Sequence, residues 1–399
     1  MSALFAADPL FADGFDLGVV LFVVIKALIG FTFVMVGVIL MIWFERKVIS
    51  DMQNRIGPNR AGPWGLLQTL ADGIKLIFKE DLSPDRADKL VFRLAPYLSV
   101  APAFLTFCIV PIGGVFTGGD DGAVTLFGHT TYLQVADPPI GVLFLLAMSS
   151  VAVYGVMLAG WASGSKYPLL GSVRASAQMV SYEAALGLTV VTVILLSGSL
   201  STHDIVASQA DSLFDWNAVA TAFVPFLIFC VAATAELNRP PFDLVEAEQE
   251  LVGGFHTEYS SIRFGMFYLA EFMNMITMSA IIITLFLGGP AGPIGPGPEQ
   301  LWPFLWFTVK LLAFLFTFVW VRGTLPRFRY DQLMDLGWKR LIPLALGWLL
   351  LIAALRLARD QDWNVWVVTG AGLVTFLVAG VLMLGAIRVA SERREEANL

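Results

Sequence analysis

Nine apolar runs, each close to the roughly 20 residues an α-helix needs to cross a bilayer, dominate the chain: 18–44, 94–118, 139–161, 175–198, 217–237, 262–288, 301–323, 339–357 and 363–387. They imply an all-α fold, a polytopic transmembrane helix bundle of about nine spans that forms a single membrane domain over residues 1–399. Composition removes the soluble alternative, because 57% of the residues are hydrophobic against roughly 45–50% in an ordinary soluble domain. The net charge of −7, with most of the 25 Lys and Arg set between the runs, leaves no basic patch for nucleic acid.

The basic residues also give an orientation. Segments 45–93, 162–174, 238–263, 322–340 and 388–399 hold 21 of the 25, whereas 1–17, 119–138, 199–216 and 289–300 hold none. Basic loops stay cytoplasmic, so the expected topology has the N-terminus outside, the C-terminus inside and nine crossings. The first residues lack the basic start of a cleaved signal peptide, so the first span is expected to be retained. The outside loops are short and turn-rich, which moves the search for function to the charged side.

On that side, the 45–93 loop opens with Glu45, Arg46 and Lys47. It continues through Arg55 and the turn Gly57-Pro58-Asn59-Arg60 to Gly62-Pro63-Trp64-Gly65. Beyond the turn, Leu67, Leu70, Ala71, Ile74, Ile77 and Phe78 recur at helical spacing opposite Gln68, Asp72, Lys75 and Lys79. The spacing predicts an amphipathic helix over 64–79, too short and too charged to span, lying on the membrane surface. It is either a plain surface anchor or one wall of an opening through which a lipid-soluble molecule enters.

The second region is acidic. From Glu236 to Glu271, across the acidic cytoplasmic loop 238–261, the chain carries Glu236, Asp243, Glu246, Glu248, Glu250, Glu258 and Glu271 against Arg239 and Arg263. Glu183, Glu236 and Glu271 fall in three different spans. A charge at mid-membrane costs about 2.5–3.5 kcal/mol on insertion scales, so these acids require a bundle interior or a water cavity. They are either structural contacts to Lys26, Lys310 or an arginine, or a proton path.

Two further segments cluster polar, aromatic and glycine residues: Gly160 to Gly171, leading through Arg174 and Gln178 to Ser181-Tyr182-Glu183, and Arg322 to Asp331 with Arg327 and Arg329. Positive-inside loops explain the charges but not the clustering. Cys108 and Cys230 sit in apolar runs, and His129, His203 and His256 are scattered, so no metal or iron–sulfur spacing is present.

Four ordered runs carry a resemblance: ERKVISDMQNRIGPNRAGPWGLLQTLADGIKL, GSKYPLLGSVRASAQMVSYE, AELNRPPFDLVEAEQELVGGFHTEYS and RGTLPRFRYDQLMDLGWK. From about Phe44 to Lys339 the chain resembles the family of H subunits of bacterial NADH-quinone oxidoreductase, the respiratory complex I. The resemblance implies a multi-pass subunit of the bacterial cell membrane in a proton-translocating respiratory electron-transport enzyme. It implies no redox centre in this chain, ubiquinone or menaquinone as substrate, and FMN and iron–sulfur clusters in partner membrane and peripheral-arm subunits. By the same resemblance, Arg46, Arg55, Arg60, Trp64 and Asp72 belong to the quinone-tunnel entrance and Arg322, Arg327 and Arg329 to its cavity-facing loop. Glu183, Glu236, Glu246, Glu248, Glu250, Glu258 and Glu271 belong to the proton pathway. Two departures stand out: the family usually has eight spans where 363–387 adds a ninth, and Thr69 and Val245 replace prolines common in relatives. The rival readings are the membrane component of an energy-converting hydrogenase and, in a different class, a stand-alone proton-coupled transporter. Against the transporter stand the absence of visible half-repeats and the presence of the surface helix.

Overall fold

The computed structural model describes residues 8–11, 14, 16–116, 121–126, 128–244, 251–364, 366–372, 374–375, 378, 380, 381 and 385. Helix α1, Leu17–Met52, is 36 residues long, about 54 Å at 1.5 Å per residue, against about 30 Å of hydrocarbon. Its last turns, from about Trp43, therefore stand clear of the apolar layer. A 3-10 turn, Pro63–Gly65, then leads into the amphipathic α2, Gln68–Phe78, so the surface helix starts four residues later than the sequence suggests. Gly65 allows that turn. Its φ is +80°, and a Cβ there would meet the Pro58 carbonyl at 2.4 Å.

Helix α3, Lys89–Phe107, starts where Asp88 caps it by accepting from the Leu90 and Val91 amides. It ends eleven residues before the expected 118, because the chain turns to non-helical backbone from Val110 through Pro111, Gly113 and Gly114. Strands β1, Ala123–Leu126, and β2, His129–Tyr132, then pair antiparallel, a feature the turn-rich reading of 119–138 does not contain. Helices α4, Gly141–Ala162, and α5, Lys166–Ser197, pack together with α3. Small residues permit the close approach: a Cβ on Gly155 would lie 2.4 Å from Ser99 Oγ, and one on Gly160 2.2 Å from Ser172 Oγ. Helix α5 starts nine residues before the expected 175, so Lys166 and Arg174 lie on the helix rather than in a loop.

The short helix α6, Thr202–Ala207, follows. The run 217–237 is broken, not continuous. It forms α7, Asn217–Ala220, and α8, Val224–Glu236, separated by Ala222 and Phe223 with φ of 53° and 63°. Helix α9, Ser261–Phe286, is buried on all sides over its second half, the signature of a helix at the core of a bundle. Helix α10, Leu301–Thr324, packs against α1 and α9. Finally α11, Tyr330–Leu336, passes through a π-helical turn, Gly337–Leu341, into α12, Ile342–Asp360.

Seven helices are long and apolar enough to span among the described residues, and the broken α7/α8 pair is read as an eighth crossing. The chain is a multi-pass membrane helix bundle. The ninth run, 363–387, falls partly outside the described residues; within it, 366–372 and 374–375 are helical.

Candidate functional site

Where α1 leaves the apolar layer, Glu45, Arg46, Gln53, Arg55, Tyr268 and Arg322 help to line a polar cavity of about 540 Å³. Three of the arginines singled out from sequence thus meet at one place. The others do not line it. Arg60 and Arg329 are exposed, and Arg327 pairs with buried Asp243 at 3.1 Å. Asp72 and Trp64 serve the cavity's frame: Asp72 Oδ2 lies 2.8 Å from Arg46, and the Trp64 carbonyl accepts from Trp43 Nε1 at 2.9 Å. Thr69 adds a third tie, donating to the Ile39 carbonyl at 3.3 Å. Together these contacts hold α2 against α1.

Next to this cavity, α1, α10 and Ile276 of α9 enclose an apolar groove of about 780 Å³. It ends at Trp43 and Phe44, one residue short of Glu45, so the apolar groove and the polar cavity meet along α1.

From the cavity wall inward, four charges are brought together from four parts of the chain. Arg239 Nη1 lies 3.0 Å from Glu45 Oε2 and its Nε 2.6 Å from Glu271 Oε1, while Arg322 makes a close ion pair with Glu45. The Arg239 guanidinium also sits 4.4 Å from the Phe272 ring centroid. Side chains of Arg239 and Glu45 are only 5% and 7% exposed. Buried Arg239 and the partly exposed Arg322 against two carboxylates make the cluster formally neutral, the condition under which such charges persist away from water. The loop after α8 is held inward by buried Gln178, whose Nε2 donates to the Ala235 and Phe242 carbonyls at 2.7 and 2.9 Å.

Beyond Glu271 a smaller cavity of about 80 Å³ is walled by Glu236, Glu271, Asn238, Asn274, Tyr268 and His256, among others. Among the described residues, no protein group partners the buried Glu236 Oε2 and Asn238 Oδ1. A polar void of this size has room for at least about two waters. A void of about 30 Å³ continues past Glu236 along Ser149, Asn274 and Thr277. On α4 the consecutive hydroxyls Ser149 and Ser150 donate to Glu236 and Glu183 respectively. Glu236 and Glu271 thus share a cavity, and Glu236 and Glu183 are held by adjacent residues of α4.

Lys26 and Lys310 do not serve these acids. Lys26 pairs with Asp8 at 2.9 Å, and Lys310 donates to the Leu287, Gly289 and Ala291 carbonyls. Glu258 is part-exposed and does not line the cavity. Glu246, Glu248 and Glu250 lie outside the described residues. Arg239, Ser149, Ser150 and His256 carry no site role in the sequence, where Glu45 stands only as the first residue of the 45–93 loop. Among the described residues no group of three or more His, Cys, Asp or Glu could hold a metal ion.

The profile of the NADH dehydrogenase family matches residues 25–353. The NADH-quinone oxidoreductase H subunit of Streptomyces avermitilis is 50% identical over 368 residues, covering 91% of this chain and 78% of the relative. The chain belongs to the family of NADH-quinone oxidoreductase H subunits. The H subunit of Frankia alni is 50% identical over 392 residues, covering 96% and 84%, and that of Frankia casuarinae 51% over 372 residues, covering 92% and 79%. The family match spans every element that builds the charged cluster and the two cavities.

Proposed function

We propose that this chain is the membrane component of a proton-translocating NADH-quinone oxidoreductase that admits quinone and couples its reduction to proton movement. Partner peripheral-arm subunits carry FMN and iron–sulfur clusters and deliver the electrons, other membrane subunits continue the proton path, and this chain holds no redox centre. The expected orientation places the basic loops in the cytoplasm of a bacterial cell, with the N-terminus outside.

The observation that carries the reading is the run of ionisable groups from the polar cavity into the bundle: Arg322, Glu45, Arg239, Glu271, the water-sized void, Glu236, Ser149, Ser150 and Glu183. The apolar groove suits an isoprenoid tail, and the cavity beside it suits a polar headgroup passing Arg46, Arg55 and Arg322. Arg60 and Trp64 shape the turn before α2, while Arg327 and Arg329 face partner subunits.

Quinone reduction takes two electrons and two protons. Negative charge developing on the headgroup pulls on Arg322 and Arg239, and each change in their pairing alters the affinity of Glu45 and Glu271 for a proton. Protons then redistribute through water to Glu236 and across the two serine hydroxyls to Glu183. Glu246, Glu248, Glu250 and Glu258 would feed the same path from the loop.

Glu236→Gln and Glu271→Gln test this, since glutamine keeps the shape but cannot exchange a proton. Each is expected to assemble, to retain NADH oxidation by a soluble acceptor, and to lose quinone reduction and pumping together. Parental pumping in both variants would make these residues structural contacts.

A further inference from the structure

Among the described residues, His256 is the one aromatic base on the cavity that joins Glu236 to Glu271, and the glutamate run does not account for it. It sits in a 3-10 turn, Gly254–His256, folded in against α4 and α5. Its ring is fixed between Phe255 and Phe264, with centroids at 5.0 and 5.3 Å and near-perpendicular edges. A Cβ on Gly171 of α5 would come within 2.8 Å of Gly254, so the turn approaches the helix as closely as a glycine allows.

The other polar groups on this cavity are the carboxyls of Glu236 and Glu271, acceptors when ionised, and Ser99, Asn238, Asn274 and Tyr268, each with a donor and an acceptor. Among the described residues no protein donor reaches the buried Glu236 Oε2 or Asn238 Oδ1, and Glu271 presents a carboxylate already turned toward Arg239. Water bridging two carboxylates gives each of them a proton and is oriented by the groups of the wall that donate to its lone pairs. A neutral imidazole offers one N–H and one lone pair at once. Burial holds the His256 pKa down to about 4, so at working pH the ring is in that two-way form.

We propose that His256 is a positioning residue of the proton path: its neutral ring orders the water that connects Glu271 to Glu236. This rests on the proton-path reading above. The charged and titratable side chains facing the same space are Glu236 from α8, Glu271 and Tyr268 from α9, and Arg239 behind Glu271. Of these, Tyr268 also offers a donor and an acceptor, through its hydroxyl.

The test uses the assembled complex in membranes. His256→Phe keeps the edge contacts with Phe255 and Phe264 and removes both nitrogens; His256→Asn keeps a donor and an acceptor. Turnover with quinone is expected to fall about fivefold in the Phe variant, the rate equivalent of one ordinary hydrogen bond, with pumping falling in parallel. NADH oxidation by a soluble acceptor should be unchanged. His256→Asn should recover most of the loss. His256→Leu serves as a second apolar variant. Parental turnover in an assembled apolar variant overturns the proposal, as does an Asn variant no better than Phe. Failure of both apolar variants to assemble while Asn assembles also overturns it, by making His256 a folding residue. Glu236→Gln measured alongside separates the two levels: if it is impaired while His256→Phe is not, only the role of His256 falls; if Glu236→Gln is parental, the proton path itself falls.

Discussion

Replacing Arg239 by methionine isolates the energetics of the buried cluster. Methionine keeps an apolar side chain over Phe272 but withdraws the guanidinium from between Glu45 and Glu271, taking the four-charge group from neutral to a net −1. Breaking a buried pair by removing one partner costs about 3–5 kcal/mol. Because Glu271 is 23% exposed and can take up water, the lower end, about 3 kcal/mol, is expected. The double variant Arg239→Met with Glu271→Gln restores neutrality and leaves Glu45 to Arg322. It should be less destabilised than the sum of the two single changes by about 1–3 kcal/mol. Denaturant titration of the purified chain in mixed micelles measures all three. A single-variant cost below about 1 kcal/mol, or strict additivity, would refute a coupled neutral cluster.

Gly160→Ala should cost about 1–3 kcal/mol by forcing α4 and α5 apart, since its Cβ would lie 2.3 Å from the Pro168 carbonyl oxygen; Gly187→Ala, with nothing within 4 Å, should be harmless, and the amount of folded chain in membranes distinguishes them. Arg55→Ala should impair quinone reduction while sparing NADH oxidation by a soluble acceptor; equal loss of both would mean failed assembly. His256 titrates at about 4 in the fold against 6.5 when unfolded, so below pH 6.5 the unfolded chain binds a proton the folded chain does not. Stability should therefore fall as pH drops from 6.5 to 4, and His256→Asn should flatten that part of the profile in a pH series of thermal melts. Single cysteines at Ser208 and Ser391, in a chain lacking Cys108 and Cys230, should react oppositely with an impermeant thiol reagent, Ser208→Cys from outside and Ser391→Cys only after the membrane is opened. Labelling of both from outside would remove the ninth crossing.

Much of the architecture is legible in the sequence because hydrophobic length is a local property. The run 262–288 lies within two residues of α9, Ser261–Phe286, at both ends, since Ser260 precedes the helix and Gly288-Gly289-Pro290 follows it. The start of α5 escapes such a reading because Lys166, Arg174 and the serines lower the hydropathy of turns that are nonetheless helical. The break between α7 and α8 shows in the sequence only through Pro225 at the start of α8, since Ala222 and Phe223 take left-handed conformations without glycine. At the site, acids within spans announce themselves by their cost in an apolar setting. Their partners do not. Arg239 and Arg322 meet Glu45 across most of the chain's length, and periodicity carries no information on such pairings. Ser149 and Ser150 look like ordinary small residues of a span, and only the packing of α4 on α5 and the approach of Glu236 at the end of α8 give them a role.

On the proposed proton path, a carboxyl within the bundle changes its protonation when quinone is reduced at the cavity beside α1. Redox-induced infrared difference spectroscopy of the assembled complex reads that event directly in the C=O stretch of protonated carboxyls. A deuterium-sensitive band is expected in the parental enzyme and should be lost in Glu236→Gln. A difference spectrum unchanged by that substitution, in a complex that still reduces quinone, would contradict that path.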